Sequence, residues 1–516
     1  MQFFLINALD CLVISLFLYL LVALRDHIRR GGLSYPPGPP SRPIIGNLLD
    51  VPKYAPWIAY TDMSKKYGGV ICLRIFSQVV IVLCSVSALK DLLEKRGEIY
   101  SERPSLPIAE MFDMNWPIFM TGMTETCREG RKLLDRGLRP GEMIPYRQMM
   151  QEKTREFLAQ LYSTPKDFLA HIELLQGKLI MSLAYGYDVK DGDKILEAPV
   201  QASKIMTPLV VPGAVLVNYL PFLRYIPSWV PYFSYEPLAQ IVRKLSERIK
   251  NEPIDFVKRA LHNGTAVHSL ASEHLQELEG LVGSKRQKQE EVVSVAMGSI
   301  YHAGSDTTTS AMHSLFLALV LFPHVQRRAQ AELDVVIGRD RLPTFDDRPR
   351  LPYIEALCKE LMRWQMVTPI GLPHSSSKDD VYRGFFIPKG SIMVANAWTI
   401  LHDPEEYPDP EDFKPERFLD EDGSVRDDPT LSFVFGVGKR ICPGRHFVDA
   451  TIFIVTSSVL SVFNVTKAKD ESGNEIPVKA AVALDGGVVV HPKKFECCIL
   501  PRDKVAEDLI SANALS

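Results

Sequence analysis

The chain has 516 residues, a formal charge of −3 and 46% apolar residues, a size that permits one large domain or two to three smaller ones. No basic stretch is long enough to track phosphates, which excludes nucleic-acid binding as the main role. Eight cysteines spread over this length do not form the dense framework of a small secreted disulfide protein, so a reducing compartment is expected.

Residues 3–24 are apolar apart from Asn7, Asp10 and Ser15, and about 20 such residues cross a bilayer. No basic region precedes the stretch and no small-residue cleavage site follows it, so a retained anchor is expected rather than a signal peptide. Arg25, Arg29 and Arg30 come next and place the remainder on the cytosolic side. The prolines of YPPGPPSRPIIGN, residues 35–47, predict a stiff, extended connector. The predicted organisation is an anchor over 1–30, a proline-rich hinge over 31–55 and a body over 56–516.

The body reads as mainly α with a small β part. Residues 70–84 predict a β-hairpin, and residues 384–398 alternate like strand material around a turn. Prolines from 208 to 237 break an apolar, aromatic stretch into short helices and loops that could touch a membrane. The charge-rich residues 283–291 predict a solvated loop. After it, residues 292–322 form a long helix, stopped by Pro323, whose one charged residue is Asp306. At about 1.5 Å per residue it is roughly 45 Å long and must cross the middle of the body. The run Thr307, Thr308, Thr309 goes against helix propensity at its centre, a conflict that tends to mark a functional site.

The second such place is FGVGKRICPG, residues 435–444. If Cys442 caps a helix beginning at Pro443, the positive end of that helix favours the thiolate, the form that binds metal. Gly436, Gly438 and Gly444 let backbone amides approach the sulfur closely.

With Phe435, Gly438, Arg440, Cys442 and Gly444 in this spacing, the loop resembles the haem-binding loop of the cytochrome P450 family. Three further motifs follow the order that family requires: AGSDTT at 303–308, ELMR at 360–363 and PERF at 415–418. The resemblance covers nearly the whole chain. It implies a cytochrome P450 fold with a long central helix behind one N-terminal transmembrane helix, and a haem b whose iron takes Cys442 as axial thiolate. It further implies that Arg440 pairs with a haem propionate and that Phe435 packs beside the sulfur. Asp306 and Thr307 would be the acid–alcohol pair that delivers protons. Glu360, Arg363 and Arg417 would form a structural brace. The family commonly has Trp-Arg-x-x-Arg on an early helix; here CREGR puts Cys127 in the tryptophan's place, while Arg131 still fits a propionate role. His374 is then expected to carry more of the propionate anchoring.

Arg128, Lys132, Arg136 and Arg139 on that helix are spaced four, four and three apart, on one face. Close to the haem's proximal side, such a face suits docking of an acidic NADPH-cytochrome reductase. The expected activity is a monooxygenase in the endoplasmic reticulum membrane, single-pass with a cytosolic catalytic domain. Its substrate would be a lipophilic small molecule of secondary metabolism, a terpenoid first and an aromatic polyketide or indole second. An isomerase or dehydratase that uses no dioxygen is the other class. Expected lining segments, by family position, are residues 106–120, 211–225, 300–303 and 367–372 and the region near Leu484.

Overall fold

The computed structural model describes residues 13, 17, 24–190, 192–226, 229–230, 235–481 and 487–514. Most of the expected anchor, and Leu484, lie outside these residues. Helices carry the body: α1 (Pro56–Tyr67), α2 (Pro107–Met111), α3 (Glu125–Gly137), α4 (Arg147–Ser163), α5 (Phe168–Tyr185), α6 (Glu197–Met206) and α7 (Glu236–His262). They continue through α8 (Leu270–Gln276), α9 (Gly283–Leu321), α10 (Pro323–Val336), α11 (Pro352–Trp364), α12 (Arg445–Val462) and α13 (Lys504–Ala514). The β part is small, as expected.

Helix α9 is the axis of the molecule. It packs against α3, α5, α6 and α7, and residues from Val292 to Val320 on every side of it are buried. The threonine and serine run is tolerated in part because three of its hydroxyls turn back onto the helix. Ser305 donates to the Tyr301 carbonyl at 2.6 Å, Thr307 to Ala303 at 3.0 Å and Thr309 to Ser305 at 3.1 Å. A Cβ on Gly304 would stand 2.8 Å from Ile180 Cδ1, so glycine lets α5 and α9 meet there.

Residues 283–291 are not a loop but the first turns of α9, which therefore has 39 residues, about 58 Å at 1.5 Å each. Charge content misled because this end is an exposed helix held by ion pairs. Arg286 bonds Glu290 one turn on at 2.8 Å, Lys258 of α7 reaches the same Glu290 at 2.9 Å, and Lys288 reaches Glu125 of α3 at 2.7 Å.

Strands β1 (Val70–Ile75) and β2 (Gln78–Leu83) form the predicted hairpin, with Phe76 in the left-handed region at φ 52° in its turn. The remaining strands are β3 (His374–Ser375), β4 (Asp380–Tyr382), β5 (Phe385–Ile387), β6 (Ile392–Ala395), β7 (Phe463–Lys467) and β8 (Cys497–Pro501). Residues 384–398 do hold two strands, but they do not pair with each other. β5 pairs with β4, whereas β6 runs parallel to β2 and antiparallel to β3 in the order β1-β2-β6-β3.

The proline-rich connector lies along β1. The Cys72 amide donates to the Pro37 carbonyl at 2.8 Å, and a Cβ on Gly38 would collide with the Cys72 carbonyl oxygen. The 208–237 stretch is broken as expected, into short 3-10 turns at Leu216–Asn218 and Pro221–Tyr225. Helix α12 is apolar enough by composition to cross a bilayer, yet 67% of it is buried inside the body, where it packs on α4, α10 and α11 as a core helix.

Candidate active site

Cys442 sits between a 3-10 turn, Gly438–Arg440, and the start of α12. Its amide donates to the Phe435 carbonyl at 2.7 Å, closing a tight loop around Gly436 and Gly438, both in the left-handed region at φ 82° and 61°. Any side chain at Gly438 would stand 2.4 Å from the Leu93 carbonyl oxygen, so the loop is pressed onto the distant helical turn Lys90–Lys95. The helix starts at Arg445 with Gly444 as its cap, two residues later than expected, because the Pro443 and Gly444 positions form a turn. The electrostatic expectation is met only in part, because burial outweighs the amides and the thiol is raised on balance. Burial raises the Cys442 thiol, while amides of Gly444 and Arg445 donating to the sulfur, and the charge of Arg131, pull it back toward the thiolate.

Beside the loop lies a group of buried and half-buried cations. Arg440 donates to the carbonyls of Ser101 at 2.7 Å, Ile118 at 3.1 Å and Thr121 at 2.8 Å, and to the sulfur of Cys127 at 3.3 Å. Arg131 of α3 donates to the Ile441 carbonyl at 2.7 Å. Helix α3 starts where it does because the Thr124 hydroxyl caps the Cys127 amide, which sets both Cys127 and Arg131 against the loop. Sequence reasoning missed a third member, Arg103, whose guanidinium donates to the carbonyls of Phe119, Leu372 and Pro373. Its signal was slight: an arginine just before a proline, at the head of the 106–120 segment.

Burial, then the charges of Arg440 and Arg131, push Arg103 down to about 9. Burial lowers Arg131 and Arg440 also. His374 lies in the same field; its Nδ1 donates to the Tyr100 carbonyl at 2.9 Å, and burial, then Arg103, push the ring down to about 3. Among the described residues none of the three arginines forms an ion pair with a carboxylate. Buried cations bound only to carbonyls and a thiol are costly unless an anion joins them. A haem, with two propionates and an iron that takes a thiolate, has the chemistry this set of groups lacks, so the residues fit it.

On the central helix, Asp306 and Thr307 are adjacent. The Thr307 hydroxyl hydrogen is committed to the Ala303 carbonyl, which leaves the oxygen free to accept. Asp306 is not isolated: His491 Nε2 stands 3.0 Å from its Oδ1, a partner sequence reasoning did not anticipate.

Glu360, Arg363 and Arg417 are brought together as expected. Arg363 makes a two-pronged pair with Glu360 at 2.7 and 2.8 Å, and Arg417 reaches the same carboxylate at 3.1 Å. Both arginines also bind carbonyls of residues 408–412. Glu360 and Arg363 have no exposed side-chain area. This cluster braces the chain leading to the Cys442 loop rather than contacting the loop.

The basic face of α3 is exposed at Arg128, Lys132, Arg136 and Arg139, although Arg139 lies beyond the helix end at Gly137. Arg136 bonds Glu277 and Arg139 bonds Asp135, which lowers the free charge of the face. A cavity of about 220 Å³ flanks the cation group, lined by Leu106, Val210, Val211, Tyr219, Ser375 and Ile392 among others.

The Cytochrome P450 family model matches residues 36–499. Cytochrome P450 monooxygenase claR of Ampulloclitocybe clavipes is 38% identical over 94% of this chain and 89% of its own length. Cytochrome P450 monooxygenase 208 of Postia placenta is 38% identical over 96% of both chains. Tryptamine 4-monooxygenase of Psilocybe cyanescens is 34% identical over 92% of this chain and 94% of its own. The chain belongs to the cytochrome P450 family. It is a haem-thiolate monooxygenase, related to fungal enzymes, and its cofactor is haem with a cysteine thiolate as axial ligand.

Proposed function

We propose that this enzyme oxidises a lipophilic secondary metabolite, with a terpenoid skeleton as the first class to test, and that Cys442 is the axial ligand of its haem. The observation that carries the assignment is the Cys442 loop set against three arginines, Arg440 buried and Arg103 and Arg131 half-buried, with no carboxylate partner among the described residues. When bound, the haem supplies dioxygen activation, and electron donation from the thiolate favours cleavage of the O–O bond. The protein's own part is to tune and to hold. Amides of Gly444 and Arg445 temper the sulfur, and Arg103, Arg131, Arg440 and His374 bind propionates. A carboxylate at His374 Nε2 would supply the countercharge that lets this ring protonate. Phe435 and Gly436 shape the loop beneath the sulfur. Asp306 and Thr307 would deliver protons.

The cavity beside this group is lined by Leu106, Val210, Val211 and Ile392 and also by Gln78, Ser105, Asn218 and Ser375, which supports a lipophilic ligand that carries some polar groups. Gly213 of the proline-broken stretch packs on Val51, so that stretch and the connector share one surface. Leu49 and Tyr54 of the connector and Phe222, Tyr225 and Trp229 of that stretch are exposed, Trp229 by 80%. Such an apolar, aromatic face suits contact with a bilayer. It supports attachment to the endoplasmic reticulum membrane by residues 1–30, with 31–55 as hinge and 56–516 as the catalytic domain. Electrons would come from NADPH-cytochrome reductase docked at Arg128, Lys132, Arg136 and Arg139, beside the Cys442 loop.

An indole substrate is the second reading, favoured by the relative named tryptamine 4-monooxygenase. The test is an optical titration of the purified haem protein with terpenes, aromatic polyketides and indoles. A spin-state shift with terpenes supports the first reading, and a shift with indoles alone replaces it by the second. In parallel, Cys442→Ala is expected to abolish thiolate-type haem absorbance; a variant that keeps it overturns the ligand assignment.

A further inference from the structure

Asp306 shares its part of α9 with two imidazoles and bonds a third from another segment. His302, one turn before it on α9, is buried, donates to or accepts from Ser203 Oγ at 3.1 Å, and packs edge-on against Phe119. His313, two turns after it, is buried with Nε2 unpartnered. Burial pushes each of these rings down to about 4, so both are neutral at pH 7. The third, His491, differs in place and in exposure. It comes from the irregular segment before β8, bonds the Asp306 carboxylate directly, and keeps 26% of its side chain exposed.

The backbone just before His491 is fixed by two hydrogen bonds of Val490. The Val490 carbonyl accepts from the Ser310 hydroxyl of α9 at 2.5 Å, and the Val490 amide donates to the Val367 carbonyl at 2.8 Å. Ser310 lies one turn beyond Asp306 on the same helix, so the imidazole is held in register with the carboxylate rather than meeting it by chance. His313 is the nearest other ionisable ring, 6.1 Å away between centroids.

We propose that His491 is a positioning residue that feeds solvent protons to Asp306. The imidazolium passes its Nε2 proton to the carboxylate across the 3.0 Å hydrogen bond, and the neutral ring regains a proton from solvent. Asp306 hands that proton on past the Thr307 hydroxyl, so each cycle returns both groups to their starting forms. No bond other than N–H and O–H changes, and no electrons move. The assignment rests on the reading of Asp306 and Thr307 as the proton-delivering pair.

The test uses the haem-loaded, full-length protein with a reductase and 7-ethoxycoumarin as lipophilic probe. The variants are His491→Ala, His491→Gln, Asp306→Asn and Thr307→Ala. The readout is the share of NADPH-derived electrons released as hydrogen peroxide. Glutamine keeps a donor to Asp306 but cannot pass on a proton, so both His491 variants are expected to raise the peroxide share, as Asp306→Asn does. Restoration of the wild-type share by glutamine alone would reduce His491 to a prop and overturn the proposal. A wild-type share in both His491 variants, with Asp306→Asn raised, overturns it while leaving the acid–alcohol pair intact. Wild-type shares in Asp306→Asn and Thr307→Ala overturn the pair itself, and the proposal with it. A second readout needs no turnover: carbethoxylation of His491 by diethyl pyrocarbonate, followed by peptide mass spectrometry. Freed Nε2 is expected to react several-fold faster in Asp306→Ala, and an unchanged rate would show that the contact does not exist in solution.

Discussion

Arg440 donates to the sulfur of Cys127 at 3.3 Å, where the family's common pattern would place an indole. A tryptophan would present its own donor to the propionate; here a small, buried side chain lets the guanidinium of Arg440 fill that space and bind three carbonyls besides. On the proposed haem site, Arg440 of the Cys442 loop would then take over the propionate contact that the indole makes in the common pattern, beside Arg131 of α3. Arg440→Leu is expected to lose most of its haem, read as haem per polypeptide, because three carbonyls lose their donor and one cation is gone. Cys127→Ala should keep its haem and cost about 1 kcal/mol or less in unfolding free energy, since a thiol is a weak acceptor.

The brace around Glu360 predicts a different failure. Its carboxylate accepts from Arg363, Arg417 and the Lys414 amide, all within a region sealed from water. Glu360→Ala strands two guanidiniums, a defect of about 3–5 kcal/mol. Low yield of folded haem protein and a lowered thermal midpoint are expected. A stable Glu360→Ala protein with normal haem content would remove the brace from the account.

Acid should destabilise the protein through its buried histidines. His302 and His313 are held at about 4 and His402 at about 3, chiefly by burial, against about 6.5 in the unfolded chain. Between these values the unfolded state takes protons that the folded state refuses, so stability falls as pH drops from about 6.5 toward 4. Each ring contributes about 1.4 kcal/mol per pH unit at most. Denaturant midpoints measured from pH 7 to pH 5 should decline steadily, and His402→Phe should flatten the slope.

The exposed face of α3 predicts charge-dependent electron transfer. Arg128 and Lys132 make no ion pair among the described residues, unlike Arg136 and Arg139. Lys132→Glu is expected to raise the KM for an acidic reductase and to weaken its salt dependence, with the haem spectrum unchanged. An unchanged KM would place docking elsewhere.

The parts legible in the sequence were those whose chemistry is local. Cys442 with its glycines, Asp306 beside Thr307, and Glu360 with Arg363 each sit within one short run, and hydrogen bonds of that run hold them. Arg103 and His491 were not legible, because each acts across the fold from a segment with no periodicity of its own. The start of α9 was misread for another reason: an exposed, ion-paired helix and a solvated loop share a composition, and only the partners Glu125 and Lys258 on neighbouring helices tell them apart.

The parallel pairing of β2 with β6 has a consequence for how the molecule is made. Leu83 meets Ala395, so the sheet stays open until the ribosome has released most of the body. The groups proposed to hold the cofactor arrive in the same staggered way: Arg103 and Arg131 early, His374 after them, Arg440 and Cys442 last. Nascent chains up to the middle of α9 therefore hold two unneutralised guanidiniums and lack Cys442. Haem capture is consequently among the last steps of biosynthesis, and a shortage of haem should strand nearly complete chains with an open interior rather than block their early folding.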